Sequence, residues 1–82
     1  MAAGSLLTKA LRDDLDLKIE YASATINYYG WATPGTPTTD ASWEIVRETL
    51  DANGRTTDLQ HANNSGERNF KWSLRASYTY GP

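Results

Sequence analysis

The clearest pattern of apolar and polar residues lies near the end of the chain. From residue 69 to residue 80 the two kinds alternate without a break, and the apolar set is Phe70, Trp72, Leu74, Ala76, Tyr78 and Tyr80. Successive side chains of a strand point to opposite faces, so this alternation predicts a strand with one buried face. A strand over the whole stretch would be longer than most, and we expect it to bend at Ala76 or to divide in two.

A second alternating stretch, residues 25–32, also predicts a strand. One face would carry Ile26, Tyr28, Gly30 and Ala32, and the other Tyr29 and Trp31. Residues 33–40 are rich in Pro, Gly and Thr, a composition that is typical of an exposed loop.

The middle of the chain predicts a hairpin. Residues 42–50 are expected to form a strand or a short helix, and the candidates for its inward side are Trp43, Ile45 and Val46. Asn53 and Gly54 then indicate a tight turn, because both residue types tolerate positive φ angles. Residues 55–59 would return as the second strand of the hairpin.

A helical period appears at the N-terminal end. Leu7, Leu11 and Leu15 recur every four positions within residues 5–17, with charged residues between them, which is typical of an amphipathic helix. A helix of about ten residues is marginal by itself and needs a surface to pack on. Two surfaces remain open: the protein's own sheet, or a neighbouring subunit that the segment would grip as an arm.

Together these patterns predict a mainly β protein, with a small antiparallel sheet or sandwich and a short N-terminal amphipathic helix or arm. We divide the chain into an N-terminal helix or arm at residues 1–17 and a single β module at residues 18–82. With 82 residues, no Cys and one His, the chain lacks disulfides and has few metal ligands to support a thin core. Self-association or docking onto a larger assembly is the favoured remedy, with an unusually well-packed monomer as the alternative, and we expect a homo-oligomer.

Charge and composition argue against several classes of function. The net charge is −2 and no basic block occurs, which argues against nucleic acid as a ligand. We expect no membrane partner, because apolar runs are too short to span a bilayer, and no secretory signal, because the start lacks a basic region. The sequence also lacks the motifs of a catalytic site, so we expect a protein that is not an enzyme and needs no cofactor.

A weak metal-binding pattern occurs in the predicted hairpin. Asp51, Asn53, Gly54 and Asp58 faintly resemble a calcium loop, but the glycine is misplaced for one and no Glu closes the run. A plain hairpin turn is therefore favoured, and no metal site is predicted.

The aromatic residues supply the candidate binding surface. Three Trp and five Tyr are many for so small a core. Trp43 and Trp72 follow the apolar periodicity and are predicted to be core, whereas Tyr29 and Trp31 are the exposed candidates. These two either contact a partner or pack under the N-terminal helix. The predicted partner-binding residues are Leu7, Leu11, Leu15, Tyr29 and Trp31.

Short motifs over roughly residues 19–80 resemble a group of small proteins encoded in tailed-bacteriophage genomes. The motifs are Tyr28-Tyr29-Gly30-Trp31-Ala32-x-x-Gly35-Thr36, Ser42-Trp43-Glu44-Ile45, the Asn-Gly turn, Phe70, and Trp72-x-x-Arg75-Ala76-Ser77-x-x-Tyr80. Members of that group typically show a tyrosine-glycine-alanine stretch, a tryptophan-isoleucine strand and a closing aromatic segment with an arginine. The resemblance implies a virion component more than any activity.

The leading hypothesis is thus a non-enzymatic structural protein of a phage virion, made in the cytoplasm of the host bacterium. It would decorate the capsid or form part of the tail or fibre attachment, with other virion proteins as its partners. The alternative is a carbohydrate- or receptor-binding module that uses Tyr29 and Trp31, and a small host-directed regulator is a third hypothesis.

Overall fold

The computed structural model describes residues 14–81, which form a five-stranded antiparallel sheet. Its elements are β1 (Asp16–Tyr21), β2 (Ile26–Ala32), β3 (Ala41–Leu50), β4 (Thr56–His61), β5 (Phe70–Lys71) and a 3₁₀ helix (Trp72–Ser77). Strands β1 to β4 lie side by side in sequence order, and β5 pairs with the first part of β3. The prediction of a mainly β protein with a small antiparallel sheet is confirmed.

The predicted N-terminal helix lies mostly outside the described residues. Its last two residues, Asp16 and Leu17, belong to β1, so the helix prediction is wrong there. Leu17 starts an alternation with Ile19 and Tyr21, and it pairs with Trp31 of β2. That pairing brings the side chain of Leu17 against the apolar cluster that contains Trp31.

The hairpin between β3 and β4 turns where the sequence predicts. One carboxylate oxygen of Asp51 accepts hydrogen bonds from the amides of Asn53 (2.9 Å) and Arg55 (3.0 Å). Gly54 has a φ of 78°, the left-handed region that glycine adopts without steric cost. Asp51 thus acts through its own backbone neighbours, as in a plain turn.

The main core lies on one face of the sheet, here called the Trp72 face. It contains the buried residues Tyr28, Ala32, Trp43, Ile45, Ala62, Phe70, Trp72 and Tyr80. Trp43 and Trp72 meet with ring centroids 6.0 Å apart, so the prediction that both are core is confirmed. The indole N–H of Trp43 donates to the carbonyl of Pro37 (3.0 Å), which ties the Pro-rich loop to this core.

The C-terminal stretch is not the long strand that its alternation predicts. Only Phe70 and Lys71 pair with β3, opposite Trp43 and Ala41, and β3 begins at Ala41. With no further partner strand, the chain turns into the 3₁₀ helix and folds over the Trp72 face. Phe70, Trp72 and Tyr80 still reach the core, whereas Leu74 and Ala76, predicted to point inward, are exposed.

The closest approach in this core is between the main chain of Gly30 and the ring of Trp72. A Cβ at Gly30 would lie 2.5 Å from Cε3 and 2.7 Å from Cζ3 of Trp72. We expect Gly30→Ala to lower the free energy of unfolding by about 2 kcal/mol, because the ring is confined and must shift. Urea denaturation measures this, with Gly66→Ala as the control, since a Cβ there makes only ordinary contacts. Equal stability of the two variants would contradict the packing described.

Candidate interaction surface

The opposite side of the sheet, here called the Trp31 face, carries three rows of residues that run across the strands. The rows follow from the strand register and are Leu17, Trp31, Glu44; Ile19, Tyr29, Val46, His61; and Tyr21, Asn27, Glu48, Leu59. The first two rows are apolar at β1 and β2 and become mixed toward β4. The prediction that Tyr29 and Trp31 share the face opposite Tyr28 is confirmed.

A second apolar cluster occupies the centre of the Trp31 face. Tyr29, Trp31 and Val46 are buried there, and the partly buried Leu15 and Leu17 pack against them. The rings of Tyr29 and Trp31 stack with centroids 6.5 Å apart and an interplanar angle of 20°. The cluster thus joins β2 and β3 to the residues that precede and begin β1.

Three of the five predicted partner-binding residues, Leu15, Tyr29 and Trp31, are brought together in this cluster, while Leu7 and Leu11 lie outside the described residues. The prediction that Tyr29 and Trp31 are exposed is wrong, because their relative exposures are 7 % and 5 %. Strand β2 lies between β1 and β3, and both of its faces are buried. Their role in partner binding remains a prediction.

A buried carboxylate lies beside the apolar cluster. Glu48 is 2 % exposed, and its Oε1 accepts hydrogen bonds from the hydroxyl of Tyr29 (2.6 Å) and the side-chain amide of Asn27 (3.0 Å). Its Oε2 accepts a hydrogen bond from the hydroxyl of Thr56. Burial by itself raises the pKa of Glu48, but the three donors together outweigh it and hold the pKa below its ordinary value. Glu48 is therefore ionised at neutral pH and fixes the hydroxyl of Tyr29.

The same carboxylate changes the acidity of Tyr29. Burial and the hydrogen bond to Glu48 both raise the pKa of this phenol well above its ordinary value. Tyr29 is thus a neutral donor throughout the physiological range. A second carboxylate on this face, Glu44, lies 3.2 Å from Nε2 of His61, at the end of β4.

Two arginines lie over aromatic rings on the Trp72 face. Arg75 forms two hydrogen bonds of 2.7 Å to the carboxylate of Glu20 and lies 4.8 Å from the ring centroid of Trp72. These bonds raise the pKa of Arg75 and lower that of Glu20. The guanidinium carbon of Arg47 lies 4.8 Å from the ring centroid of Tyr80. Burial raises the pKa of the Tyr80 phenol. The pair of Arg75 and Glu20 fastens the 3₁₀ helix to β1.

Sequence reasoning missed these polar contacts. Glu44 and Glu48 have the same parity in β3 as the buried Val46, which is the one signal that places them on an apolar face. The spacing of 55 residues between Glu20 and Arg75 carries no local signal at all. Their pairing depends on where the C-terminal segment leaves the sheet.

Two ion pairs are found among the described charged groups, Arg75 with Glu20 and His61 with Glu44. Residues 14–81 contain no group of three or more His, Cys, Asp or Glu side chains that could hold a metal ion. No helix within that range is long and apolar enough to cross a membrane.

No known protein family, curated protein or solved structure matches this chain in comparisons of sequence and fold. The resemblance to small phage proteins accordingly stays a prediction based on the short motifs.

Proposed function

We propose that the protein is a non-enzymatic structural subunit of a tailed-phage virion, which decorates the capsid or takes part in tail or fibre attachment. The proposal combines the sequence resemblance with one observation: the apolar cluster of the Trp31 face contains Leu15, Tyr29 and Trp31 together. Leu15 is the last of the three leucines with helical spacing, so the segment that contains Leu7 and Leu11 leads directly into this cluster along the sequence. The segment that we propose to bind a neighbour therefore directly precedes this cluster in the sequence.

In this proposal the N-terminal segment supplies contact with a neighbouring virion protein. Leucines at every fourth position provide an apolar stripe, and each Leu that becomes buried contributes about 1.5 to 3 kcal/mol. The β module supplies a rigid anchor, because Arg75 fastens the C-terminal segment to β1 and Glu48 fixes the hydroxyl of Tyr29. Such a division suits a small subunit that is used in many copies.

We expect Leu11→Ser to reduce incorporation into particles by about tenfold or more, because it removes one apolar contact of that stripe. Mass spectrometry of purified virions measures the copy number. Leu74→Ser is the matched control, since Leu74 is 47 % exposed on the 3₁₀ helix, which packs on the Trp72 face. The proposal fails if purified particles lack the protein, or if Leu11→Ser is incorporated at the normal level.

Thermal unfolding of the isolated protein distinguishes whether Leu11 packs on a neighbouring subunit or on the protein's own sheet. If Leu11 packs on a neighbouring subunit, Leu11→Ser lowers incorporation and leaves the melting temperature of the isolated protein unchanged. If it packs on its own sheet, the melting temperature falls as well, by several degrees. The second result would assign the stripe to the fold and leave the contact with the particle to another surface.

The alternative of a carbohydrate- or receptor-binding module depends on Tyr29 and Trp31 as stacking rings. Their burial argues against it, because a sugar needs access to a ring face. A specific glycan ligand on an array, lost in the variant Trp31→Ala while that variant remains folded, would favour this alternative over the structural role.

A further inference from the structure

Strand β1 forms one edge of the sheet. No strand among residues 14–81 pairs with its outer side. The amide of Ala22 donates to the carbonyl of Ile26 (3.0 Å), which makes these two a hydrogen-bonded pair. Such pairs alternate with non-hydrogen-bonded pairs along an antiparallel ladder. The main-chain groups that point to this outer side therefore belong to the three apolar residues of β1: Leu17, Ile19 and Tyr21.

The side chains along this edge are of two kinds, apolar on one face and charged on the other. On the Trp31 face, Ile19 is 36 % exposed and Tyr21 is 76 % exposed. On the other face, Lys18 and Glu20 carry opposite charges two residues apart. Exposed apolar residues at a sheet edge favour pairing with another strand, whereas charges such as Lys18 oppose it unless the partner strand places an opposite charge against them.

We propose that β1 pairs antiparallel with β1 of a second copy of this chain, about a two-fold axis through Ile19. The pair would form about six main-chain hydrogen bonds from the outward groups of both strands. Leu17 would lie opposite the partner's Tyr21, and Lys18 opposite the partner's Glu20. The two sheets would then continue into one another across the axis.

The charges of β1 favour the register with the axis through Ile19 over the two registers whose axis lies one residue away. An axis through Lys18 would place that residue opposite its own copy, and an axis through Glu20 would do the same for two carboxylates. Like charges directly opposite each other destabilise a strand pair, and opposite charges stabilise it. Arg75 uses two acceptor sites of the Glu20 carboxylate, which leaves lone pairs for the partner's Lys18.

The other edge of the sheet, β4, fits self-pairing less well. An axis through Leu59 would place Asp58 opposite the partner's Gln60, so no pair of opposite charges forms. The register of β3 and β4 also shifts between Thr49 and Leu50, an irregularity of the kind that twists an edge away from a partner. The proposal therefore concerns β1 alone and predicts a closed dimer, since a two-fold contact uses the same surface on both copies.

Sedimentation equilibrium tests the dimer. The expected mass is twice the chain mass of 9.1 kDa. Lys18→Glu should raise the dissociation constant by about tenfold or more, because two attractive pairs become repulsive. Lys71→Glu makes the same change of charge at an exposed position on β5 and should leave the constant unchanged. A monomer at every concentration up to about 1 mM, or equal effects of the two variants, would overturn the proposal.

Cysteine cross-linking tests the register, since the chain has no native Cys. In the proposed dimer the two copies of Ile19 form a hydrogen-bonded pair with Cα atoms about 5.5 Å apart, within the range of a disulfide. Ile19→Cys should give a covalent dimer under mild oxidation. Tyr21→Cys should not, because its two copies would lie about 13 Å apart along the strands. Equal cross-linking of both variants, or ladders larger than dimers, would contradict the two-fold axis.

The dimer and the virion role can fail separately. Absence of the protein from purified particles would remove the proposed function and leave the result of sedimentation unaffected. A monomer in solution that is nevertheless found in particles would remove the β1 interface and leave the virion role in place.

Discussion

Replacing Trp72 by Ala should lower the free energy of unfolding by about 3 to 5 kcal/mol. Trp72 is 7 % exposed and lies against the ring of Trp43 and the main chain of Gly30. Its removal leaves a cavity under the C-terminal segment, and Arg75 loses the ring on which it lies. Because the total stability of a domain this small is about 5 kcal/mol, the variant should be largely unfolded.

Circular dichroism in urea measures this effect, and Leu74→Ala is the control. Leu74 lies two residues away on the same 3₁₀ helix and is 47 % exposed, so its truncation should cost less than about 1 kcal/mol. If Trp72→Ala keeps the urea unfolding transition of the original protein, the C-terminal segment does not cover the core as described.

The sequence predicts the faces of the sheet better than the course of the chain. Parity alone places Tyr28 and Gly30 on one face of β2 and Tyr29 and Trp31 on the other, because alternation is a local property of a strand. The length of the last strand is not a local property. It depends on where β3 begins, and β3 begins at Ala41, so pairing ends after Lys71 although the alternation continues.

The burial of Tyr29 and Trp31 illustrates a second limit. Apolar residues at both parities of β2 are typical of a central strand that is covered on two sides, and this signal is present in the sequence. A division into one inner and one outer face overlooks it. The hydrogen bonds of Glu48 are harder still to predict from the sequence, because their donors come from β2 and β4 and only the strand register brings them together.

Glu48→Ala should lower the free energy of unfolding by about 3 kcal/mol. The substitution removes the acceptor of three donors, and the hydroxyl of Tyr29 would remain buried with its hydrogen bond lost. Glu48→Gln is the conservative variant, because its amide oxygen still accepts from Tyr29 and its amide nitrogen can donate to Thr56. We expect it to lose about half as much stability in urea denaturation. Equal losses for both variants would contradict this account, because Gln keeps the shape of the side chain and most of its hydrogen bonds, and the lost charge alone would then explain the effect.

The pH dependence of stability gives an independent measurement of the same carboxylate. The pKa of Glu48 is lower in the folded protein than its ordinary value, so ionisation stabilises the fold. That contribution is complete above about pH 5 and is lost as the pH falls through the folded pKa. The original protein should therefore lose stability in acid more steeply than Glu48→Gln, which has no proton to gain at this position. Some acid dependence should remain in the variant, because Arg75 also holds the pKa of Glu20 below its ordinary value. Identical acid profiles for the two proteins would mean that Glu48 has the same pKa in the folded and unfolded chains, so that its three donors only offset the effect of burial.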